Sequence, residues 1–251
     1  MLTSSLISAV LTPEKTDLWC AAYLPTKSHR AFFIHAIYSL VEEFKREPMY
    51  APRFYVFAVS GCEEDFVRNT LQPLACVGAI VWYIYMETRQ TQFAGLRSIL
   101  DTYNDNMPTR VLFMDADDFV MPNRTKFLCG WHDKLQGSVY ASATDWTRTS
   151  ITSMKEVKKV VDTAVEFGGL VPFIDGVWLP RAPYVAGEDT PNSIHTFSDL
   201  QEYLLTADLN DNYADTGLYI SQIEKGRAFY VFTNQPIYLH RRWEGSVTAN
   251  S

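Results

Sequence analysis

Apolar and amphipathic stretches alternate through the first half of the chain. Four apolar runs predict strands, over residues 18–24, 53–60, 77–86 and 111–114. Consecutive apolar positions indicate strands that are buried on both faces, as in a parallel sheet. Helical stretches separate these runs, and the order β-α-β-α-β-α-β is typical of right-handed parallel units wound into one sheet. The pattern therefore predicts an α/β fold with a mostly parallel central sheet.

The three helical stretches of this half each carry a signal of their own. The first has an apolar stripe at three- and four-residue steps, formed by Phe33, Ile37, Leu40, Val41 and Phe44. Thr26 or Ser28 could cap its start. The second stretch begins with three acids at 63–65, where the helix dipole favours negative charge. The third helix is expected over 93–103.

The remaining chain gives a less regular pattern. Residues 2–11 fit either an edge strand or a short helix, which Pro13 ends. Residues 180–198 are rich in Pro, Gly, Asn, Asp and Ser, which predicts an ordered loop near a site or a lid. The other expected elements are helices over 122–135, 153–168, 200–205 and 216–225, and extended segments over 138–143, 170–179, 228–232 and 236–242.

Three carboxylates follow the fourth strand within four positions, at Asp115, Asp117 and Asp118. Burying an unpaired carboxylate is costly, so the cluster should lie where the strand leaves the core, which is where open α/β sheets bind ligands. If the extended geometry continues, Asp115 and Asp117 point the same way and could hold a divalent cation and a phosphate. A polar strand end, with an Asp capping a helix near Pro122, explains the same residues equally well.

Composition narrows the class of protein. The chain has 251 residues, of which 47% are hydrophobic and 20% charged, and this suits one domain with a deep core. It has no apolar run of the roughly 18 to 20 residues that a membrane span needs, and residues 1–11 lack the basic start of a signal peptide. Four scattered cysteines fit free thiols in a reducing compartment, so we expect a cytoplasmic protein.

Charge and glycine spacing exclude further classes. The formal net charge of −7, without a basic tract, argues against nucleic-acid binding through phosphates, although Arg241 and Arg242 could meet a single phosphate group. The glycine-rich motifs of dinucleotide-binding and P-loop proteins do not occur in the sequence.

Six separated segments carry a more specific signal through their sequence and order. They are LWCAAYLPTKSHRAFFIHAIYSLV, the strand at 54–61, QFAGLRSIL, VLFMDADDFVMP with its D-x-D motif, ADTGL and YLHRRWEGSVT. In these segments the chain resembles the GT-A-fold glycosyltransferases of the family 2 type, over residues 17–250. The resemblance implies one GT-A-like domain, a Rossmann-like α/β/α sandwich, with a nucleotide-sugar-binding half at 17–121 and an acceptor-binding half at 122–251.

The resemblance also implies an activity. Such enzymes move a sugar from a nucleotide-diphosphate sugar, here with a UDP-sugar favoured, to an acceptor hydroxyl. For this chain it implies an enzyme that depends on Mn²⁺ or Mg²⁺ and inverts the anomeric centre. Because the sequence has no membrane-spanning run, we expect this enzyme to be soluble and non-processive. The acceptor stays open among a glycan, a lipid-linked sugar, a protein and, disfavoured by the acidic balance, a modified DNA base. The oligomeric state also stays open.

Site residues follow from the matched positions. The metal would be held by Asp117 with help from Asp115, and His240 could be a further metal ligand. The donor would contact Asp115, Asp118, Arg97, Arg241, Arg242 and Trp243. A plain structural role is an open alternative for several of them, with Asp118 as a helix-start acid, the two arginines as an exposed pair and Trp243 as a buried aromatic residue.

Asp215 is the candidate general base that would take the proton of the acceptor hydroxyl. It could equally cap the helix expected from Thr216, and both roles are compatible because a cap fixes the carboxylate. The competing carboxylates are Asp199, Asp208, Asp211, Glu188 and Asp189.

The chain departs from the family pattern at four positions. Ser60 stands where the second strand often ends in an Asp that holds the nucleotide. Ala214 precedes Asp215 where a Glu is usual, Trp243 stands in the place of a His, and Leu239 replaces the Gln of the processive enzymes.

Three other classes stay open. A phosphatase of the haloacid dehalogenase type would use Asp115 and Asp117, but its motif has Thr or Val where Asp118 stands. A nucleotidyltransferase would need a glycine-rich loop, and residues 25–30 are basic but contain no glycine. A glycan- or nucleotide-binding module that has lost catalysis is compatible with the departures at Ser60 and Ala214.

Overall fold

The computed structural model describes residues 3–6, 17–24, 29–102, 107–141, 144–145, 177–178, 191–209, 214–231 and 237–240. The strands are β1 Thr3–Leu6, β2 Leu18–Leu24, β3 Phe54–Ser60, β4 Ile80–Met86, β5 Arg110–Asp115, β6 Phe119–Val120, β7 Ser138–Ala141, β8 Thr144–Asp145, β9 Val177–Trp178, β10 Ser193–Thr196, β11 Ala228–Val231 and β12 Tyr238–His240. The helices are α1 Arg30–Arg46, α2 Glu64–Cys76, α3 Gln92–Thr102, α4 Arg124–Leu135, α5 Phe197–Thr206 and α6 Ala214–Glu224.

The described strands form a nine-stranded sheet in the order β1-β4-β3-β2-β5-β10-β7-β11-β9. At its centre β4, β3, β2 and β5 run parallel, as the β-α-β alternation predicts. β10 is antiparallel to both β5 and β7, and β11 is parallel to β7. β1 settles the ambiguity at residues 2–11, because it pairs antiparallel with β4 at the edge of the sheet. A second, small sheet has the order β6-β12-β8.

Helices cover both faces of the parallel strands. Alternate strand residues, such as Tyr55 and Leu112, pack with the apolar stripes of α1, α2 and α4 on one face. Their neighbours, such as Val56 and Phe113, pack with α3, α5 and α6 on the other. The chain is therefore an α/β/α sandwich, and the consecutive apolar runs of the sequence are strands that are buried on both sides.

Strand β10 lies where the sequence predicted a loop. Ile194 is fully buried in the core, while Ser193 and His195 point their polar atoms at each other, with 2.8 Å between Oγ and Nε2. His195 Nδ1 lies 3.1 Å from the Ser138 hydroxyl of β7. The loop prediction is wrong over 193–198 because these polar side chains bond one another inside the sheet, which their composition alone does not reveal.

Other expectations hold within a few residues, and some lie outside the described residues. The helix predicted from Pro122 begins at Arg124, and the one predicted from Thr216 begins at Ala214. The caps proposed at Thr26 and Ser28, the helix at 153–168 and most of the segments at 170–179 and 180–198 fall outside the described residues. None of the described helices combines the length and the apolar character that crossing a membrane requires.

A glycine in α3 marks a close contact between this helix and β2. A Cβ atom added at Gly95 would lie 2.8 Å from a ring carbon of Tyr23. We expect Gly95→Ala to lower the free energy of unfolding by about 1 to 3 kcal/mol, the usual cost of overpacking. Gly130→Ala in α4 is the matched control, because a Cβ there meets nothing within 4 Å, and it should raise stability by up to about 1 kcal/mol. Urea unfolding measures both, and equal effects would contradict the contact.

Candidate functional site

The four parallel strands end at one edge of the sheet. In their register Tyr23 of β2 lies between Ala58 of β3 and Asp115 of β5, and Ser60 lies opposite Met86 of β4. The acidic segment therefore leaves the sheet at the carboxyl ends of the strands, where open α/β sheets bind ligands.

Residues 116–118 form a turn between β5 and β6, so the extended geometry does not continue past Asp115. The backbone N–H of Asp118 donates to the carbonyl of Asp115 at 3.4 Å. Asp115 and Asp117 are half-buried, whereas Asp118 is fully buried. The expectation that all three carboxylates lie outside the core is thus wrong for Asp118.

Asp118 is also no helix-start acid. Helix α4 begins at Arg124, six positions later, and its capping position is Asn123 in a left-handed conformation with φ +72°. The alternative in which an Asp caps this helix is therefore wrong. We call residues 115–118 the acidic turn below.

Two side chains from distant elements hold the acidic turn at Asp115. Gln92, the first residue of α3, donates from Nε2 to Asp115 Oδ1 at 2.6 Å. The backbone N–H of Asp115 donates to the hydroxyl of Tyr238 in β12 at 2.9 Å. Burial, together with the negative charges of Asp118 and Asp115, holds the pKa of Tyr238 well above its usual range. Tyr238 therefore stays a neutral phenol that can bond the turn.

The position of Ser60 is used inside the protein. Tyr23 donates its single hydroxyl proton to the Gln90 carbonyl at 2.8 Å and accepts the Gln90 N–H at 2.8 Å. Ser60 Oγ, 3.1 Å from the same hydroxyl, must then be the donor to Tyr23. Ser60, which stands where the family pattern has an Asp, is thus fully buried and bonded to Tyr23.

His29 lies between the carboxyl end of β2 and the start of α1, at the same edge. Burial lowers the pKa of His29, the charge of Asp117 opposes this change, and Arg89 adds to the lowering. Asp117 and Arg89 are thus close enough to His29 to interact with it electrostatically. No sequence signal singled out His29, because a single His in a basic segment is common.

Asp215 lies in the first turn of α6 and is half-buried. Its Oδ1 accepts the backbone N–H of Thr216 at 2.7 Å. Because the helix already begins at Ala214, Asp215 is an acid of the first turn, which the helix dipole favours, and the prediction that it caps the helix is wrong. Helix α6 lies on the same face of the sheet as α3, since Ala214 and Leu218 belong to the same apolar cluster as Phe93. Its role as general base stays a prediction.

The segment before α6 is tied to the start of α3. Thr91 Oγ1 accepts the N–H of Ala94, as an N-cap does, and donates its own proton to the carbonyl of Leu209. Gln92, which bonds the acidic turn, follows Thr91 directly. The start of α3 therefore touches both the acidic turn and the chain that leads to Asp215.

Several other predicted residues have different surroundings. Arg97 donates to Asp101 Oδ1 and to the Leu204 carbonyl, both at 2.8 Å, and so joins α3 to α5; its contact with a donor stays a prediction. The backbone of His240 follows Leu239, which pairs with Phe119, so β12 brings this segment beside the acidic turn. The residues predicted to contact the donor that fall outside the described residues are Arg241, Arg242 and Trp243.

The other carboxylates considered for the general base also differ in their surroundings. Asp199 is buried and paired with Arg227 at 2.5 Å, which gives it a structural partner. Asp208 is exposed. The others fall outside the described residues, namely Asp211, Glu188 and Asp189.

The donor atoms at this edge suit a cation that is shared with a ligand. Among the described residues, three His, Cys, Asp or Glu side chains do not converge as a complete metal cage. Mg²⁺ commonly takes only one or two carboxylates from the protein and its other ligands from phosphates and water. The half-buried carboxylates of Asp115 and Asp117 fit that mode.

Solved structures of S. aureus TarS have a similar fold. TarS 1–349 in complex with UDP-GlcNAc matches with a TM-score of 0.59 at 12% identity, over 94% of this chain and 61% of that one. A second structure of TarS 1–349 matches with a TM-score of 0.56 at 12% identity, over 90% of this chain and 60% of the TarS chain. A third structure, of TarS, matches with a TM-score of 0.53 at 11% identity, over 89% of this chain and 36% of the TarS chain.

The chain has a GT-A-like fold. This confirms the fold that the six sequence segments predicted. The chain spans about three fifths of the length of TarS 1–349. No protein-family model matches the sequence, and no curated protein does.

A substitution at Thr91 tests the contact between the start of α3 and the segment before α6. Thr91→Val removes both the helix cap and the bond to Leu209, and we expect a loss of about 1 kcal/mol in the free energy of unfolding. Thr102→Val, at the other end of α3, is the matched control, because the exposed Thr102 bonds only the carbonyl of Ser98 in its own helix. Urea unfolding compares the two. An equal loss of unfolding free energy in Thr102→Val and Thr91→Val would show that the Thr91 bonds to Ala94 and Leu209 add no stability of their own.

Proposed function

We propose that the chain transfers a sugar from a nucleotide-diphosphate sugar, with a UDP-sugar favoured, to an acceptor hydroxyl, with a metal ion and with inversion of the anomeric centre. The observation that supports this best is the acidic turn at the carboxyl edge of the parallel strands. It stands in a fold shared with TarS, whose structure holds UDP-GlcNAc.

In this proposal Asp117, with Asp115, holds Mn²⁺ or Mg²⁺ together with the diphosphate of the donor. The metal would offset the negative charge that grows on the leaving diphosphate. The bonds from Gln92 and Tyr238 hold Asp115 in place, so the carboxylates need not reorganise when donor binds. Donor contacts from Asp118, Arg97, Arg241, Arg242 and Trp243, and metal ligation by His240, remain part of the proposal.

Asp215 is the proposed general base. It takes the proton of the acceptor hydroxyl as the acceptor oxygen bonds to the anomeric carbon and the bond to the diphosphate breaks. Direct displacement of this kind inverts the anomeric centre. Its bond to the Thr216 N–H fixes the carboxylate.

The two halves of the domain divide the work. Residues 17–121 would carry most of the donor site, because the parallel strands, the start of α3 and the acidic turn all belong to them. The contacts proposed for His240, Arg241, Arg242 and Trp243 would reach the donor from the other half. Residues 122–251 carry Asp215 and the acceptor side. The acceptor is a hydroxyl of a glycan, a lipid-linked sugar or a protein, and a modified DNA base fits the net charge of −7 least well.

Replacing one carboxylate tests the donor site. We expect wild type to bind UDP more tightly with Mn²⁺ than with EDTA, and Asp117→Asn to weaken the Mn²⁺-dependent binding at least about tenfold, because a metal ligand is lost. Asp133→Asn is the control, since this exposed acid near the end of α4 pairs with Arg110 at the start of β5, the opposite end of that strand from Asp115. Titration calorimetry measures each affinity. Equal affinity of the wild-type protein for UDP with Mn²⁺ and with EDTA would exclude the proposed metal site.

A second substitution tests the base. With UDP-sugar and Mn²⁺, Asp215→Asn should slow the formation of UDP and free sugar by about 10²–10⁴-fold, because a neutral amide takes no proton from the attacking hydroxyl. Affinity for UDP with Mn²⁺ should stay at the wild-type value. The products separate the alternatives. A phosphatase would leave the UDP-sugar intact and release inorganic phosphate from a phosphomonoester such as p-nitrophenyl phosphate, and a binding module would turn over neither compound. Unchanged turnover in Asp215→Asn would move the base to another carboxylate.

A further inference from the structure

A fully buried arginine lies under the acidic turn. Arg124 begins α4, and none of its side chain is exposed. A guanidinium without solvent is very costly unless its protons are bonded and its charge is balanced. The contacts of Arg124 therefore indicate why a charged side chain is buried at this position.

Its hydrogen bonds join three parts of the chain. One terminal nitrogen donates to the carbonyl of Phe113, two residues before Asp115, and to the carbonyl of Pro191 at 2.8 Å. The Nε atom donates to Asn192 Oδ1 at 3.1 Å. The planar guanidinium thus fixes the end of β5 against the segment that leads into β10.

The same guanidinium lies over the ring of Tyr238, 5.0 Å from its centroid. The hydroxyl at the other end of that ring accepts the backbone N–H of Asp115 at 2.9 Å. Tyr238 also pairs with Val120 of β6, just after the acidic turn. Arg124 and Tyr238 therefore hold the turn from both of its flanks, through β5 before it and β12 beside it.

A buried carboxylate accompanies the charge. Glu43 of α1 is fully buried, and its Oε1 accepts the backbone N–H of Thr125 at 3.1 Å and the Thr125 hydroxyl at 2.8 Å. Burial raises the pKa of Glu43, and the nearby Arg124 charge opposes that rise. Glu43 thus fixes the first turn of α4, from which Arg124 projects.

We propose that Arg124 and Tyr238 are positioning residues that hold the acidic turn in the geometry that binds the metal and the donor diphosphate. This rests on the proposed function. Metal sites tolerate displacements of only about 0.5 Å, so a loosened Asp115 backbone would weaken metal-dependent binding even in a folded protein. Neither residue touches the donor in this account, since both are fully buried.

Tyr238→Phe tests the link most sharply, because it removes the hydroxyl that bonds Asp115 and keeps the ring beneath Arg124. Tyr83→Phe is the matched control, since Tyr83 is also fully buried and its hydroxyl bonds Glu64, while its strand β4 is separated from β5 by β3 and β2. We expect the affinity for UDP with Mn²⁺ to fall about tenfold in Tyr238→Phe alone. The affinity with EDTA should match wild type in both variants.

Amide hydrogen exchange of the ligand-free protein supplies a readout that does not depend on nucleotide binding. The peptide that spans 113–121 should exchange faster in Tyr238→Phe than in wild type or Tyr83→Phe. If wild type itself shows no Mn²⁺-dependent binding, the proposed function fails, and exchange alone decides about the turn. Wild-type exchange in Tyr238→Phe, or wild-type Mn²⁺ dependence in this variant, would overturn the inference.

Two replacements of Arg124 test the guanidinium. Arg124→Lys keeps the charge and loses the planar fork, whereas Arg124→Met loses both. We expect Mn²⁺-dependent affinity for UDP to fall in the order wild type, Lys, Met, measured on the folded fraction well below each melting temperature. Equal affinity in all three proteins would overturn the role of Arg124. If neither variant folds, Tyr238→Phe decides the proposal, because it leaves Arg124 in place.

Discussion

Burial of the four central strands on both faces is the constraint on which the rest of the structure depends. It requires helices on each side, and it leaves the carboxyl ends of the strands as the place where polar groups can gather. Asp115 stands at that edge beside Tyr23, and the turn that follows carries Asp117 and Asp118. The same apolar runs that form the core therefore determine where the acidic turn lies.

Periodicity and apolar runs were sufficient for most of the fold. They predicted the parallel strands, their helices and the edge at which the acids emerge, because those signals depend on burial and burial depends on residue type. They failed at β10, where the buried polar atoms of Ser193 and His195 are satisfied by each other and by Ser138. Such pairing depends on which strands become neighbours, and a local sequence pattern does not carry that information.

The candidate site was predictable only in part for the same reason. The D-x-D segment identified Asp115 and Asp117, but the turn after Asp115 placed Asp118 inside the protein, where the sequence had expected a surface acid. The groups that hold the turn, Gln92 and Tyr238, come from 23 and 123 positions away. Their role follows from the tertiary fold, and a neutral Gln or Tyr gives no sign of it in the sequence.

Diffraction from crystals grown with UDP-GlcNAc and Mn²⁺, recorded at a wavelength where manganese scatters anomalously, tests the central claim most directly. The account predicts one anomalous peak at the acidic turn, within direct bonding distance of the Asp117 carboxylate and of a diphosphate oxygen. A diphosphate bound at another edge of the sheet, or bound at this edge with the manganese away from Asp117, would contradict it.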